Sequence, residues 1–272
     1  MCAICGCGEP GSANQHHPKG HPHADEGEHE HALADGTVLR HHHHDPVHHD
    51  PPMIRRMIEV ERDLLAGNDA QAAVNRRRFL AAQTLVLNLM SSPGSGKTTL
   101  LEQTLLRLAG RWPVAVIEGD QQTSLDAERI RRAGAPAVQV NTGKACHLDA
   151  QMIERALVEL APPRGGLLLI ENVGNLVCPA GFDLGEHKRV VIASVTEGED
   201  KPLKYPDMFA RADLVVVSKI DLLPFLDFDC ERFVSYARRI HPGVEVLALS
   251  ARTGEGLPLW LSWLASQRAS LG

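Results

Sequence analysis

The sequence has no uncharged apolar run that approaches the ~20 residues a transmembrane helix needs, so we expect no membrane span. It also has no apolar segment near residue 1 of the kind that a secretory signal requires, so we expect a cytoplasmic protein. Six cysteines in 272 residues do not suggest a disulfide framework; they are more typical of thiols that are free or metal-bound. The 43% hydrophobic content is enough for one substantial core.

The sequence also has no excess of basic residues. The net charge is −6, and residues 1–50 account for all of it, with eight acidic and two basic side chains. The rest of the chain carries 26 residues of each sign and is neutral. This balance argues against nucleic acid or an anionic membrane as a partner.

A glycine-rich loop, residues 91–98 (SSPGSGKT), follows an apolar run and precedes a helical pattern. This is the context of a phosphate-binding P-loop, because backbone N–H groups and a helix N-terminus then face the anion. Ser91 stands where the usual pattern has its first glycine. We expect Lys97 to reach the β- and γ-phosphates and the Thr98 hydroxyl to bind Mg²⁺. The predicted nucleotide-contacting residues of this loop are Gly94, Ser95, Gly96, Lys97, Thr98 and Thr99.

Apolar runs alternate with helical patterns from residue 84 onward. Near-continuous Val/Ile/Leu runs are typical of strands buried on both faces, so the fold class is α/β, a mostly parallel sheet flanked by helices. The predicted strands are Leu85–Met90, Val114–Glu118, Ala137–Val140, Leu167–Glu171, Val190–Val195, Leu214–Ser218 and Val244–Leu249. Residues 53–83 have helical spacing, and we expect two helices there, the first ending at Gly67 and the second capped by Asn68 or Asp69.

The N-terminal segment differs in composition from everything that follows. Within residues 1–7, Cys2, Cys5 and Cys7 can converge on one ion, and their donors suit Ni²⁺ or Zn²⁺. Residues 8–52 are rich in His, Gly, Pro and acidic residues and are predicted to be disordered. Twelve of the fifteen histidines lie there and indicate a multivalent, poorly selective metal-binding tail. The predicted domains are therefore 1–7, 8–52, 53–83 and 84–272.

Residues 218–221 (SKID) follow a buried strand and resemble the Asn-Lys-x-Asp guanine motif, with Ser218 in place of asparagine. The Asp221 carboxylate can accept both the N1–H and the exocyclic amine of guanine, which adenine does not offer. The Lys219 stem can cover the base or the sugar. After the next strand, Ser250 and Ala251 resemble the loop whose backbone N–H meets guanine O6. We therefore expect GTP or GDP in the site, with a generic ATPase as the alternative.

Carboxylates follow two other strands. Glu171 stands where GTPases carry the aspartate of Asp-x-x-Gly, so we expect it to hold Mg²⁺ and Gly174 to respond to the γ-phosphate. Asp120 is a second candidate, either as a Mg²⁺ ligand or to orient the attacking water. Asp126 fits such a role and a helix N-cap about equally well. Because no hydrolytic base stands out, we expect slow GTP hydrolysis.

A second group of metal ligands follows the third predicted strand. Cys146 and His147 stand at the predicted start of a helix from Leu148 to Leu160, and Cys178 lies seven residues beyond Glu171. If these three side chains bind one ion, one ligand lies on the loop that responds to the γ-phosphate. Nucleotide state and metal affinity are then coupled, and the coupling is reciprocal.

These motifs occur in one order along the chain, from the Cys-x-x-Cys-Gly-Cys start to the residues 218–224 (SKIDLLP). Together they resemble the HypB family, the hydrogenase nickel-incorporation GTPases, over the whole chain. The resemblance implies a P-loop NTPase of the SIMIBI type that helps to load Ni²⁺ into the large subunit of [NiFe]-hydrogenase. It also implies a GTP-promoted homodimer and a zinc-bearing nickel chaperone of the HypA kind as partner.

The same resemblance implies two metal sites. One is a tight nickel site, here Cys2, Cys5 and Cys7; the other is a weaker Ni²⁺ or Zn²⁺ site at a dimer interface, matching Cys146, His147 and Cys178. Two alternatives stay open. The urease nickel GTPases also combine a His-rich start with a P-loop, but they have a Cys-Pro-His motif. A nickel-storage protein with a vestigial GTPase would explain the long His-rich tail.

Overall fold

The computed structural model describes residues 29–32, 38–41, 51–120 and 125–271. Their contacts separate two compact units, with the boundary between Asp63 and Leu64. Among the helices of the described residues, none combines the length and the apolar character needed to cross a bilayer. The predicted N-terminal metal ligands Cys2, Cys5 and Cys7 lie outside the described residues, as do most of the tail histidines.

Two short strands lie in the smaller unit, within the segment that the sequence predicts to be disordered. Strand β1 (His29–Ala32) pairs antiparallel with β2 (Val38–His41), and His29 stands opposite His41. The strands read HEHA and VLRH, so neither has the alternation of polar and apolar residues that indicates a strand, and the composition of the segment predicts disorder. The sequence prediction therefore did not include this hairpin.

Helix α1 is one continuous element from Pro51 to Ala81, so the expected interruption at Gly67 is wrong. A glycine inside a helix costs only about 0.5–1 kcal/mol and does not remove a backbone hydrogen bond as proline does. The second half of α1 also packs firmly, since Ala72 and Phe79 are fully buried. Packing of that half outweighs the small local cost at Gly67.

The larger unit contains a seven-stranded sheet in the order β5-β4-β6-β3-β7-β8-β9, and every neighbouring pair is parallel. All seven predicted strands are confirmed, with bounds that shift by at most two residues. The strands are β3 (Leu85–Ser91), β4 (Val114–Asp120), β5 (Ala137–Asn141), β6 (Leu167–Glu171), β7 (Lys188–Ser194), β8 (Leu214–Ser218) and β9 (Glu245–Leu249). This is the P-loop NTPase fold that the sequence predicts.

Helices cover both faces of the sheet. They are α2 (Lys97–Leu108), α3 (Leu125–Arg132), α4 (Ala150–Glu159), α5 (Lys201–Lys204), α6 (Pro206–Ala210), α7 (Cys230–Ile240) and α8 (Leu257–Ala269). Successive residues of β3 point to opposite faces: Leu87 packs in the cluster of α2 and α8 around Trp260, and Val86 packs in the cluster of α1 and α4 around Phe79. Burial on both faces explains the near-continuous apolar runs.

The strand order brings the chemically suggestive residues to one edge. Strand β3 lies between β6 and β7, and the chain turns into the glycine-rich loop directly after Ser91. The ends of β4 and β6 are in register, with Glu118 opposite Glu171. In open parallel sheets the crevice outside the carboxyl ends of the strands is where ligands bind. The loop and the carboxylates therefore share that crevice.

Candidate nucleotide and metal sites

The glycine-rich loop has the backbone that a phosphate cradle needs. Gly94 and Gly96 have φ values of +73° and +97°, which L-residues with a side chain rarely adopt, and α2 begins at the next residue, Lys97. Lys97 Nζ donates to Ser91 Oγ at 2.8 Å, and Ser95 Oγ donates to the same oxygen at 2.6 Å. The serine in place of the first glycine thus fixes the lysine and the loop to the end of β3.

A cavity of about 560 Å³ opens at this loop, a size typical of small-molecule sites. Its lining includes all six predicted residues of the loop, the predicted Asp120, Glu171, Gly174 and Lys219, and also Asp126, Glu118 and Arg129. The structure therefore brings together the phosphate-binding and carboxylate groups that the sequence singles out.

Two carboxylates are buried side by side in this cavity. Glu118 is 2% exposed and Glu171 4% exposed, and each has one oxygen without a hydrogen-bond partner among the described residues. The Thr98 hydroxyl donates to Glu171 Oε1 at 2.8 Å. A hydroxyl beside two under-satisfied carboxylates is the oxygen-only donor set that Mg²⁺ prefers. The chain therefore has residues that fit the Mg²⁺ of a P-loop NTPase.

Burial shifts the protonation of this cluster. Burial, reinforced by the charge of Glu171, raises the pKa of Glu118 to about 8. Burial also raises the pKa of Glu171 to about 7, although Lys97 opposes that change. The pKa of Lys97 is lowered by its own burial. Glu118 was not among the site residues predicted from the sequence, although a glutamate inside a buried strand, two residues before Asp120, was a visible signal.

Replacing Glu118 by glutamine is expected to stabilise the nucleotide-free protein at about pH 9 by on the order of 3 kcal/mol. The native pKa of Glu118 is about 8 and lies above its unfolded value of about 4.5. Between these two pKa values the native state keeps the Glu118 proton and the unfolded state has released it. The stability of the wild type therefore falls as pH rises from about 4.5 to about 8. Below about pH 4.5 the Glu118 carboxyl is protonated in both the native and the unfolded wild type, so the stability advantage of the glutamine variant vanishes. Urea unfolding in a metal chelator across this range would contradict the assignment if the two stabilities stayed parallel.

Asp126 and Arg129 contribute two further charged side chains to the lining of the cavity. Asp126 is the second residue of α3, so its helix N-cap alternative is wrong. Its carboxylate pairs with Arg129 at 3.2 Å, and Arg129 also binds Glu102 at 2.7 Å. These two ion pairs hold the pKa of Arg129 above its usual value, chiefly through the hydrogen bond to Glu102. Arg129 is therefore a fixed positive charge at the rim of the cavity that the sequence analysis did not select.

The loop after β6 runs directly against the glycine-rich loop. A Cβ at Gly174 would lie 3.1 Å from Cα of Pro93, so only glycine allows this approach without a shift of either loop. The segment from Glu171 to Gly174 therefore contacts the cradle in which the terminal phosphate would sit. This close approach is the geometry that a phosphate-sensing loop requires.

The residues of the guanine motif lie beside the same loop. Lys219 has φ of +62°, and its Nζ donates to the carbonyl of Gly94 at 2.6 Å. Ser218 Oγ donates to the carbonyl of Ser95 at 2.7 Å, which shows what the serine in the usual asparagine position does. Ser250 Oγ donates to Asp221 Oδ1 at 2.6 Å, and the half-buried Ala251 follows. Of the predicted base-contacting residues, Lys219 lines the cavity, whereas Asp221, Ser250 and Ala251 are not part of its lining.

Cys146, His147 and Cys178 also lie together. One ligand atom from each falls within 4.8 Å of the others, and Cys146 Sγ is 3.9 Å from His147 Nδ1. We call these three residues the thiol–imidazole cluster. The His147 ring stacks on Phe182 with centroids 3.8 Å apart, and burial lowers the pKa of His147. A lowered pKa keeps the imidazole neutral, which is the form that binds a metal ion.

The start of the helix that follows Cys146 and His147 differs from the sequence prediction. Helix α4 begins at Ala150, and its N-cap is Asp149, whose carboxylate accepts from Met152 N at 2.7 Å. Cys146 and His147 therefore lie in the loop before the helix, not at its start. Cys178 begins a short 3₁₀ turn, Cys178–Gly181, where it is 5% exposed.

One buried amide links this cluster to the nucleotide crevice. Asn172 follows Glu171 directly, and its Oδ1 accepts from the backbone N–H of Leu148 at 3.1 Å. Its Nδ2 donates to Asn88 Oδ1 of β3 at 3.2 Å. Leu148 follows His147, so this amide joins the end of β6 to the loop that carries Cys146 and His147.

Comparison with known proteins agrees with this arrangement. The family model described as "CobW/HypB/UreG, nucleotide-binding domain" matches residues 85–248. The hydrogenase maturation factor HypB of Escherichia coli K12 is 51% identical over 99% of this chain and 100% of its own length. That of Azotobacter vinelandii is 62% identical over 79% of this chain and 71% of its own.

Solved structures give the same result. The crystal structure of HypB from Helicobacter pylori in complex with nickel has a TM-score of 0.71 and 40% identity, covering 75% of this chain and 96% of that one. HypB from Archaeoglobus fulgidus has a TM-score of 0.70 and 40% identity, covering 76% and 100%. Fold, site and sequence thus agree, and the chain belongs to the HypB family of hydrogenase maturation factors.

Proposed function

We propose that this protein is a GTP-hydrolysing nickel metallochaperone that helps to insert nickel into the large subunit of a [NiFe]-hydrogenase. One observation carries the proposal: a single segment, from Glu171 to Cys178, lines the nucleotide cavity at one end and supplies a thiol to the thiol–imidazole cluster at the other. The related H. pylori protein was crystallised in complex with nickel, which supports nickel as the cargo.

On the nucleotide side, the chain's own residues bind and orient the phosphates. Backbone N–H groups of the glycine-rich loop and the Lys97 ammonium face the β- and γ-phosphates. Thr98, Glu171 and Glu118 are the groups that would hold Mg²⁺, which neutralises charge on the phosphates when bound. Asp120, at the end of β4, is a further carboxylate of the lining that is able to orient the attacking water, whereas Asp126 is paired with Arg129. With no strong base in the described lining, turnover is slow.

On the metal side, loss of the γ-phosphate removes a contact of the Gly174 loop, and the shift reaches Cys178 four residues later. Nickel would therefore be held differently before and after hydrolysis, with Zn²⁺ able to compete for the same ligands. We also propose that Cys2, Cys5 and Cys7 form a separate nickel site and that the His-rich tail stores nickel. The E. coli relative, which matches 99% of this chain, supports including the N-terminal segment in this function.

The proposed partners follow from the family. They are a second copy of this chain in the GTP-bound state, a zinc-bearing nickel chaperone of the HypA kind and the hydrogenase large subunit. Phe225 is 81% exposed and Leu226 39% exposed, directly after the guanine motif, which supports an apolar dimer contact near the nucleotide. Leu222 and Leu223 instead pack partly against the core. The H. pylori relative is named a hydrogenase/urease maturation factor, so service to urease is the second candidate.

Nickel titration of the full-length chain tests the coupling. Replacing Cys2, Cys5 and Cys7 by serine removes the N-terminal thiols, so any thiolate-to-nickel charge-transfer absorption then comes from the remaining thiols, Cys146, Cys178 and Cys230. We expect the nickel affinity in this parent protein to differ by about 5- to 150-fold between GDP and a non-hydrolysable GTP analogue. Cys178→Ser should remove the absorption and the difference. Cys230→Ser, a thiol outside the cluster, is the matched control. Identical titrations with both nucleotides would refute the proposal.

A further inference from the structure

The second half of α1 contacts both segments that carry the thiol–imidazole cluster. Asn75 is 1% exposed, and its Nδ2 donates to the carbonyl of Ala150 at 2.8 Å and to the carbonyl of Leu184 at 3.1 Å. Ala150 lies three residues after His147, and Leu184 lies six residues after Cys178. One buried amide group therefore bridges the two segments that must stay together for the cluster to exist.

Asn68 makes a second bridge between the same two segments. It lies seven residues before Asn75, two helical turns away on the same face of α1. Its Nδ2 donates to the carbonyl of Asp183 at 2.8 Å, and its Oδ1 accepts from the backbone N–H of Ala150 at 2.9 Å. The backbone donor and acceptor of Ala150 are thus both bound by α1, as are two consecutive carbonyls after Cys178.

The close approach of the second segment to α1 depends on a glycine. Gly185 has φ of +91°, and a Cβ there would lie 2.6 Å from the carbonyl oxygen of Ala72 and 2.8 Å from Cβ of Asn75. Beside it, Arg76 binds both carboxylate oxygens of Asp183, at 2.8 and 2.7 Å. Charge and shape therefore fix this segment on α1 at the same place as the two asparagines.

We propose that Asn75 and Asn68 are positioning residues for the thiol–imidazole cluster, holding its two segments at the separation that one metal ion requires. The proposal rests on the proposed function, because it takes the cluster to be the nickel site. Ligands of one tetrahedral ion, at about 2.0–2.3 Å from it, lie roughly 3.3–3.8 Å from one another. The cluster atoms already lie within 4.8 Å. To bind one ion, the three ligand atoms need to move only slightly closer together. Even a small increase in the spacing of the two segments would therefore keep all three atoms from reaching the same ion.

Metal binding in the full-length parent protein, with Cys2, Cys5 and Cys7 replaced by serine, tests this role. We expect Asn75→Leu to weaken nickel binding at the cluster by about 10- to 100-fold and to shift or weaken the thiolate-to-nickel absorption. Its affinity for GDP should stay within about twofold of the parent, because Asn75 is not among the residues that line the nucleotide cavity.

Thr84→Val is the matched control. Thr84 is fully buried and donates to the carbonyl of Pro163 at 2.9 Å, in a segment that carries no cluster residue. It should lose stability while keeping the parent's nickel titration and absorption. If Asn75→Leu does not fold, Asn68→Ser, at a position that is 8% exposed, takes its place with the same expected direction.

The outcomes separate the two proposals. If the parent protein shows no thiolate-to-nickel absorption, or if Cys178→Ser does not remove that absorption, nickel does not bind at the cluster. The positioning role would then be refuted together with it. A parent with that absorption, and asparagine variants indistinguishable from it, would refute the positioning role alone. An equal loss of nickel affinity in Thr84→Val would also refute it, because general destabilisation would then account for the effect.

Discussion

Replacing Lys97 by alanine is expected to lower the rate of GTP hydrolysis by about 10²- to 10³-fold, the effect of losing one preorganised donor to developing charge. Lys97 is only 8% exposed, and Ser91 Oγ and the start of α2 hold its ammonium group at the cavity. Alanine leaves the backbone cradle in place but removes the positive charge that faces the phosphates. Single-turnover release of phosphate from GTP measures the change.

The same substitution has a second expected consequence. The charge of Lys97 opposes the rise in pKa that burial causes at both Glu171 and Glu118. Without it, both carboxyls bind protons more tightly in the nucleotide-free protein. Lys204→Ala, a change at an exposed lysine paired with Asp200, is the control for a lost positive charge. A Lys97→Ala protein that hydrolyses GTP within about threefold of wild type would overturn the assignment of this loop.

Replacing Asp221 by asparagine is expected to weaken GTP binding by about 10²-fold and to leave ATP binding nearly unchanged. A hydrogen bond to a charged group contributes about 1.5–3 kcal/mol, and the carboxylate can accept two from guanine. Asparagine keeps the shape and the oxygen that accepts from Ser250 Oγ, so the loop should keep its structure. Competition of GTP and ATP against a fluorescent nucleotide measures the preference.

Asp227→Asn is the matched control, because it makes the same chemical change at an exposed position six residues later. It should keep the wild-type preference for GTP. If wild-type protein preferred ATP, or if Asp221→Asn kept its preference for GTP, the guanine assignment would be wrong. The Ser218 contact with Ser95 ties this loop to the phosphate cradle, so a loss of base contacts is also expected to loosen the cradle.

The strands and the glycine-rich loop were predictable because their signals are local. A strand buried on both faces must be apolar along its length, as β3, β6 and β8 are. A helix that begins at Lys97 after two glycines with positive φ needs those residues at that spacing. Local steric requirements of this kind are written in consecutive residues.

The long helix and the buried glutamate show where local reasoning fails. Gly67 by itself predicts the end of a helix, but packing of the second half of α1 outweighs the small free-energy cost of a glycine inside the helix. Glu118 reads as one charged residue in an apolar strand. Only its register with Glu171 on β6 shows that two carboxyl groups share one buried site. Register is a relation between strands that lie about 50 residues apart.

The sequence by itself determined the parallel α/β fold, the phosphate loop and the identity of the candidate ligands, because each follows from short-range spacing and side-chain chemistry. That Cys178 lies beside Cys146 and His147 was implied by the family resemblance, but only the tertiary structure shows it geometrically, and the tertiary structure alone decided that Asn68 and Asn75 hold both segments. Those contacts join residues separated by 31 to 115 positions. Residues this far apart in the sequence come into contact only when burial of the sheet and its helices offsets the entropy lost in ordering the chain that connects them.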